Sequence, residues 1–149
     1  MAETDLIQLY SKRILALAAD IPLTEPLDAP MATVKKRSPL CGSTVTVALA
    51  VEDDTVKGFS QDVKACALGQ ASAAVLGGLV SGMTREQIAE GRDALRAMLK
   101  DGAAAPTAPF DGLEVLSPAK DYKNRHASIL LAWDATIAAF DEAISAKAS

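Results

Sequence analysis

Ser38-Pro39-Leu40-Cys41-Gly42-Ser43 and Lys64-Ala65-Cys66-Ala67-Leu68-Gly69 bracket the segment from which the architecture follows. Between them, Thr44-Val45-Thr46-Val47-Ala48-Leu49-Ala50-Val51-Glu52 sets branched apolar residues on every second position, the period of a half-buried strand. Glu52-Asp53-Asp54-Thr55 carries turn chemistry, and Val56 to Val63 can return as the antiparallel partner. A hairpin brings its two ends together. The pattern therefore predicts that Cys41 and Cys66, the two cysteines of the chain, are neighbours in space.

The 149 residues fit one domain, 1–149, large enough to bury a core without disulfides. Half of them are apolar, but alanine dominates that class and aromatics make up 4%. Such small side chains let helices and sheet approach closely and do not point to a large aromatic ligand cavity. A net charge of −4 argues against generic nucleic-acid binding. No apolar run approaches the ~20 residues that cross a bilayer, and the acidic Met1-Ala2-Glu3-Thr4-Asp5 lacks the layout of a secretory signal. A cytoplasmic, non-membrane protein is the expectation, and its thiols would stay reduced. Two cysteines then read as free, catalytic or metal-binding rather than as a bridge.

Along the chain, Thr4 can cap a first helix whose stripe is Leu6, Ile7, Tyr10, Ile14, Leu17 and Ala18. Ile21 to Pro39 holds four of the seven prolines (Pro22, Pro26, Pro30, Pro39) and reads as a linker, with Lys35-Lys36-Arg37 as a solvated charge run just before Cys41. Ala67 to Val80 reads as a helix with Leu68, Ala71, Val75 and Leu79 on one face, ended by Ser81-Gly82. Thr84-Arg85-Glu86-Gln87 is a capping-box sequence that starts a helix to about Lys100, with Ile88, Leu95, Met98 and Leu99 inward. A loop from Asp101 to Pro109 and a short turn from Phe110 to Val115 precede the last helix, about Asn124 to Ala146, which buries Ile129, Leu130, Trp133, Ile137, Phe140 and Ile144. The whole is an α+β fold, a small antiparallel β-sheet (hairpin about 44–63) packed against helices.

The chemistry lies with the thiols. Cys66 follows a strand and opens a helix, where unpaired amide N–H groups and the macrodipole favour an anion. Lys64 stands two residues before it, and Lys35-Lys36-Arg37 precedes Cys41. Thiolate is the form that attacks sulfur or binds metal. The other reading of two free cysteines is burial as small hydrophobes. Two thiols alone leave a tetrahedral iron or zinc site incomplete. His126, the one histidine, begins the final helix and is a candidate third ligand; Asp62, Asp121 and Asp134 have no spacing that singles one out.

Pro39-Leu40-Cys41-Gly42, the hairpin, and Cys66 opening an Ala/Ser-rich helix (Ala71-Ser72-Ala73-Ala74) together resemble the NifU/IscU-type iron–sulfur cluster assembly scaffolds. The inter-cysteine spacing, with Arg125 and Leu131-Ala132-Trp133 in the last helix, is most similar to the SufU-type branch. The resemblance spans nearly the whole chain and implies a NifU/SufE-like fold with a site at Cys41, Cys66 and His126. Two positions depart from the family. Its Cys-Gly-Asp triplet has Ser43 in place of the aspartate. Its third cysteine falls at Ala127 when His126 is matched to the IscU-type branch, or at Ser128 when Arg125 and Trp133 are matched to the SufU-type branch.

The resemblance implies a scaffold holding iron or a [2Fe–2S] unit through Cys41 and Cys66, passing it on transiently, with zinc as a metal such thiols would scavenge during purification. Its alternative is a SufU-type sulfur relay, in which Cys66 or Cys41 accepts persulfide sulfur from a cysteine desulfurase. A third reading is a module that binds other iron–sulfur assembly proteins without chemistry. The sequence leaves the oligomeric state open.

Overall fold

The computed structural model describes residues 11–39 and 42–148. Three antiparallel strands in the order β1-β2-β3 form its sheet: β1 (Ala32–Arg37), β2 (Thr44–Glu52) and β3 (Thr55–Lys64). The expected hairpin is β2–β3. Val45, Val47, Leu49 and Val51 are buried while their neighbours are not, so the alternation read from the sequence is the burial pattern of the strand. Asp53 and Asp54 both take positive φ, 54° and 62°, the two-residue connection whose twist matches that of its strands.

The linker expected over Ile21–Pro39 instead contains strand β1. Its register on β2 runs from Ala32↔Leu49 to Arg37↔Thr44. All four prolines fall outside residues 32–37, so none removes a ladder donor. Lys35, Lys36 and Arg37 are exposed at this end of an edge strand, where charge discourages pairing with another chain. Residues before β1 lie along the other edge: the Gln61 backbone N–H donates to Leu23 O (2.9 Å), and Gln61 Nε2 donates to Pro22 O (3.4 Å) as well as to Ala73 O of the helix that follows β3 (3.0 Å).

Helix α1 (Lys12–Ala19) is capped by Ser11, whose Oγ accepts from Ile14 N at 3.3 Å. The expected cap at Thr4 and the stripe residues Leu6, Ile7 and Tyr10 lie outside the described residues. Helix α2 (Ala67–Leu79) buries more than the expected stripe. Leu68 and Ala71 are buried, but so are Ser72, Ala73, Ala74 and Leu76, because the helix packs against both α1 and the last helix. Helix α3 (Arg85–Lys100) starts at the full capping box. Thr84 Oγ1 accepts from Gln87 N (3.2 Å) and Gln87 Oε1 accepts from Thr84 N (2.9 Å).

A 3₁₀ helix from Phe110 to Asp121 replaces the expected short turn. Its buried residues Phe110, Leu113, Leu116 and Ala119 repeat every third position, the period of a 3₁₀ helix. Helix α4 (Lys123–Ala148) is the centre of the molecule, packed on β1 and β2 and flanked by α2 and α3. Trp133 is fully buried; its Nε1 donates to Ser72 Oγ (3.1 Å), and that hydroxyl donates to Ile129 O (2.7 Å). Phe110 meets the indole edge-on, with centroids 6.1 Å apart. Among the described residues no helix is long and apolar enough to cross a membrane.

Candidate functional site

The sheet register aligns Arg37, Thr44 and Lys64 across one end of the sheet. Beyond that row the chain entering β2 and the chain leaving β3 run side by side. Ser43 and Gly42 lie on the first, Ala65 and Cys66 on the second. The loop before β2 is closed by two backbone bonds: Gly42 N donates to Ser38 O (2.9 Å), and Ser38 N donates to Ser43 O (2.8 Å). Gly42 sits at φ +70°, a conformation that favours glycine. Cys41 lies within this loop's sequence but outside the described residues.

Cys66 is the N-cap of α2. Its carbonyl accepts from Gln70 N (2.9 Å), while its side chain makes no capping bond. The thiol is free and half-buried. Ser128, from the first turns of α4, stands between the two chain segments. Its Oγ lies 3.6 Å from Cys66 Sγ and 3.0 Å from Ser43 Oγ. Both serines are buried. Helix α2 comes close here, since a Cβ on Gly69 would lie 2.7 Å from Ser128 Oγ.

Of the residues singled out in the sequence, Cys66, Ser43 and Ser128 come together. Ala127 does not join them; it is half-buried and lines a groove between α3 and α4. His126 is buried, with Nε2 3.0 Å from Ala119 O and 3.1 Å from Lys120 O at the end of the 3₁₀ helix. Since a carbonyl only accepts, Nε2 carries a proton here, so Nδ1 is the ring nitrogen not engaged by these carbonyls. His126 and Ser128 lie about 200° apart around α4, so the imidazole leaves the helix on the side away from the serine. Asp134 accepts from Arg92 Nε (2.9 Å) in the α3–α4 groove, and Asp62 and Asp121 are exposed. Among the described residues no three His, Cys, Asp or Glu side chains cluster as a metal site would require.

The described donor set is thus one thiol with two hydroxyls behind it. A hydroxyl donates to a neighbouring thiolate but is a poor ligand in place of a carboxylate or a second sulfur. The hydrogen-bonded pair Ser43–Ser128 is not predicted by the sequence. The alignment on Arg125 and Trp133, which puts Ser128 at the third-cysteine position, was the signal that could have found it.

No family model matches the chain, and no curated protein does. Solved structures do. A chain from Brucella abortus, described as the N-terminal part of a nitrogen-fixing NifU-like protein, is 40% identical and superposes with a TM-score of 0.91. The match covers 95% of this chain and 98% of that one. The chain belongs to the NifU-like family. A protein of Fervidobacterium islandicum AW-1, described as a proposed iron–sulfur cluster assembly scaffold for the SUF system, shares the NifU-like fold at 19% identity and a TM-score of 0.81, over 90% of this chain and 98% of that one.

Proposed function

We propose that this NifU-like chain is an iron–sulfur cluster assembly protein that takes iron or a [2Fe–2S] unit as cargo at Cys41 and Cys66. The observation that carries the reading is the meeting of Cys66, Ser43 and Ser128 at the end of the sheet, where the loop bearing Cys41 also begins and ends. Family membership and the scaffold description given to a protein of the same fold support it. In this reading Ser43 stands for the family's aspartate and Ser128 for its third cysteine, so the site offers two thiolates backed by neutral hydroxyls. His126 would join only through Nδ1, because Nε2 serves Ala119 and Lys120. Fewer anionic ligands mean weaker holding and easier release of cargo to an assembly partner.

Anaerobic reconstitution with ferrous iron and sulfide tests this reading. The expected outcome is a coloured species carrying iron and acid-labile sulfide that Cys41→Ala and Cys66→Ala each abolish. A colourless protein, or colour that survives both substitutions, contradicts it.

The alternative is sulfur relay, and one observation favours it: Cys66 presents a half-buried thiol at the N-terminus of α2, with the Ser128 hydroxyl 3.6 Å from its sulfur. In that reaction the Cys66 thiolate attacks the outer sulfur of a desulfurase persulfide. A new S–S bond forms on Cys66, the old one breaks, and the desulfurase cysteine leaves as a thiolate. Mass spectrometry after incubation with a cysteine desulfurase and cysteine would show one added sulfur, absent from a variant lacking both cysteines.

A further inference from the structure

Helices α3 and α4 run antiparallel, tied by Arg85 to Asp141 (2.5 and 3.1 Å) and by Arg92 to Asp134 (2.9 Å). Between them and the end of β1 lies an open groove of about 820 Å³. Along its α3 wall stand Arg85, Arg92, Arg96 and Lys100, spaced so that a 3.6-residue period puts them on one face. Lys36 and Arg37 add two further cations where β1 crosses the far end. The three carboxylates in the lining, Asp93, Asp134 and Asp141, are all engaged by Arg92 or Arg85. Among the described residues no carboxylate pairs with Lys36, Arg37, Arg96 or Lys100, and Lys36, Arg37, Arg96 and Lys100 are exposed. The floor is apolar, made of Ala127, Leu130, Leu131 and Ile137.

A net-cationic groove on a chain of net charge −4 is a segregation of charge, not the average character of the surface. Its position is equally informative. The end marked by Ala127 and Lys100 adjoins Ser38 and Pro39, which lead directly into the loop carrying Cys41. From Arg85 to Lys100 the wall is about 22 Å long, the span of about seven extended residues.

We propose that this groove binds an acidic, partly apolar polypeptide segment of a partner protein, laid along α3 and α4 so that the partner's reacting group reaches the thiol loop. Carboxylates of the segment would pair with Arg96, Lys100, Lys36 and Arg37, while alternate apolar side chains would cover Leu130, Leu131 and Ile137. The last clause, delivery to the thiols, rests on the cargo reading above; binding of the segment does not.

The test uses the full chain and a fluorescein-labelled heptapeptide alternating Glu and Leu. Fluorescence anisotropy should show binding that weakens as sodium chloride rises from about 50 to about 500 mM, because exposed charge pairs are screened over a shrinking Debye length. Arg96→Glu with Lys100→Glu should weaken it by about ten-fold or more, since each attraction becomes a repulsion. Amide shifts should map to Ala89, Leu131 and Ile137. Arg96→Gln with Lys100→Gln serves if the reversal variant does not fold, and should weaken binding in the same direction. Unchanged affinity in either folded variant overturns the proposal. So do shifts confined to another face, equal competition by a single-stranded oligonucleotide, or a self-association that the charge reversal abolishes. Peptide binding in a protein whose Cys66 holds neither iron nor sulfur would retain the groove and refute only the cargo reading.

Discussion

Ser128 is the residue on which the site's geometry turns, because it touches both Ser43, just ahead of β2, and the Cys66 thiol. Replacing Ser128 by Cys and Ser43 by Asp would restore a sulfur and a carboxylate next to Cys66. Structural zinc sites are worth roughly 10–16 kcal/mol over four ligands, so two added anionic ligands should raise zinc affinity by about 100-fold or more. Competition with a chromophoric chelator measures it; equal affinity in the double variant would mean that these positions do not face the metal. Gly69→Ala probes the same point from α2. Its Cβ would stand 2.7 Å from Ser128 Oγ and 3.1 Å from Ser128 O, so the helices must shift. Overpacking of this kind costs about 1–3 kcal/mol, readable as a lower denaturant midpoint. At this scale the sequence was half legible. It marked Cys66, Ser43 and Ser128, yet gave no sign that two serines would share a hydrogen bond across 85 positions. It also gave His126 as a ligand candidate without showing that backbone carbonyls take its Nε2, since which way a lone helical side chain points depends on the 3₁₀ helix packed beside it.

Elements with local signals were read well, and those whose signal is tertiary were not. The alternating run Thr44–Glu52 and the capping box at Thr84 carry their instructions within a few residues, and both form as read. Thr84→Ala removes one of the two box bonds and should cost about 1 kcal/mol, lowering Tm by about 3 °C in calorimetry. Strand β1 was hidden because prolines dominate its surroundings and its Lys35-Lys36-Arg37 end looks like loop; what makes it a strand is the open edge of β2 waiting beside it. The 3₁₀ helix was hidden for a different reason. Its period-three apolar pattern over Phe110, Leu113, Leu116 and Ala119 belongs to an element that seldom runs beyond a turn. Leu116→Ala should cost about 2–5 kcal/mol, measured by chemical denaturation, because that side chain is fully buried; a cost near zero would mean the segment is not part of the core.

For the molecule as a whole, close approach of small residues decides how the layers fit. Helix α3 meets the 3₁₀ helix and α4 at Gly91, where a Cβ would lie 2.6 Å from Phe110 Cε1 and 2.7 Å from Trp133 Cζ3. The alanine-rich composition signalled such intimacy, and the fully buried Trp133 fills the centre that it leaves. That packing fixes α4 against the sheet and thereby delivers Ser128 to the hairpin ends. In the proposed function this delivered constellation is a place for iron–sulfur cargo. Iron and acid-labile sulfide per chain, measured after anaerobic reconstitution of the parent and of Cys66→Ala, test it most directly. Both are expected in the parent and neither in the variant; equal amounts in the two proteins, or none in the parent, would overturn that assignment.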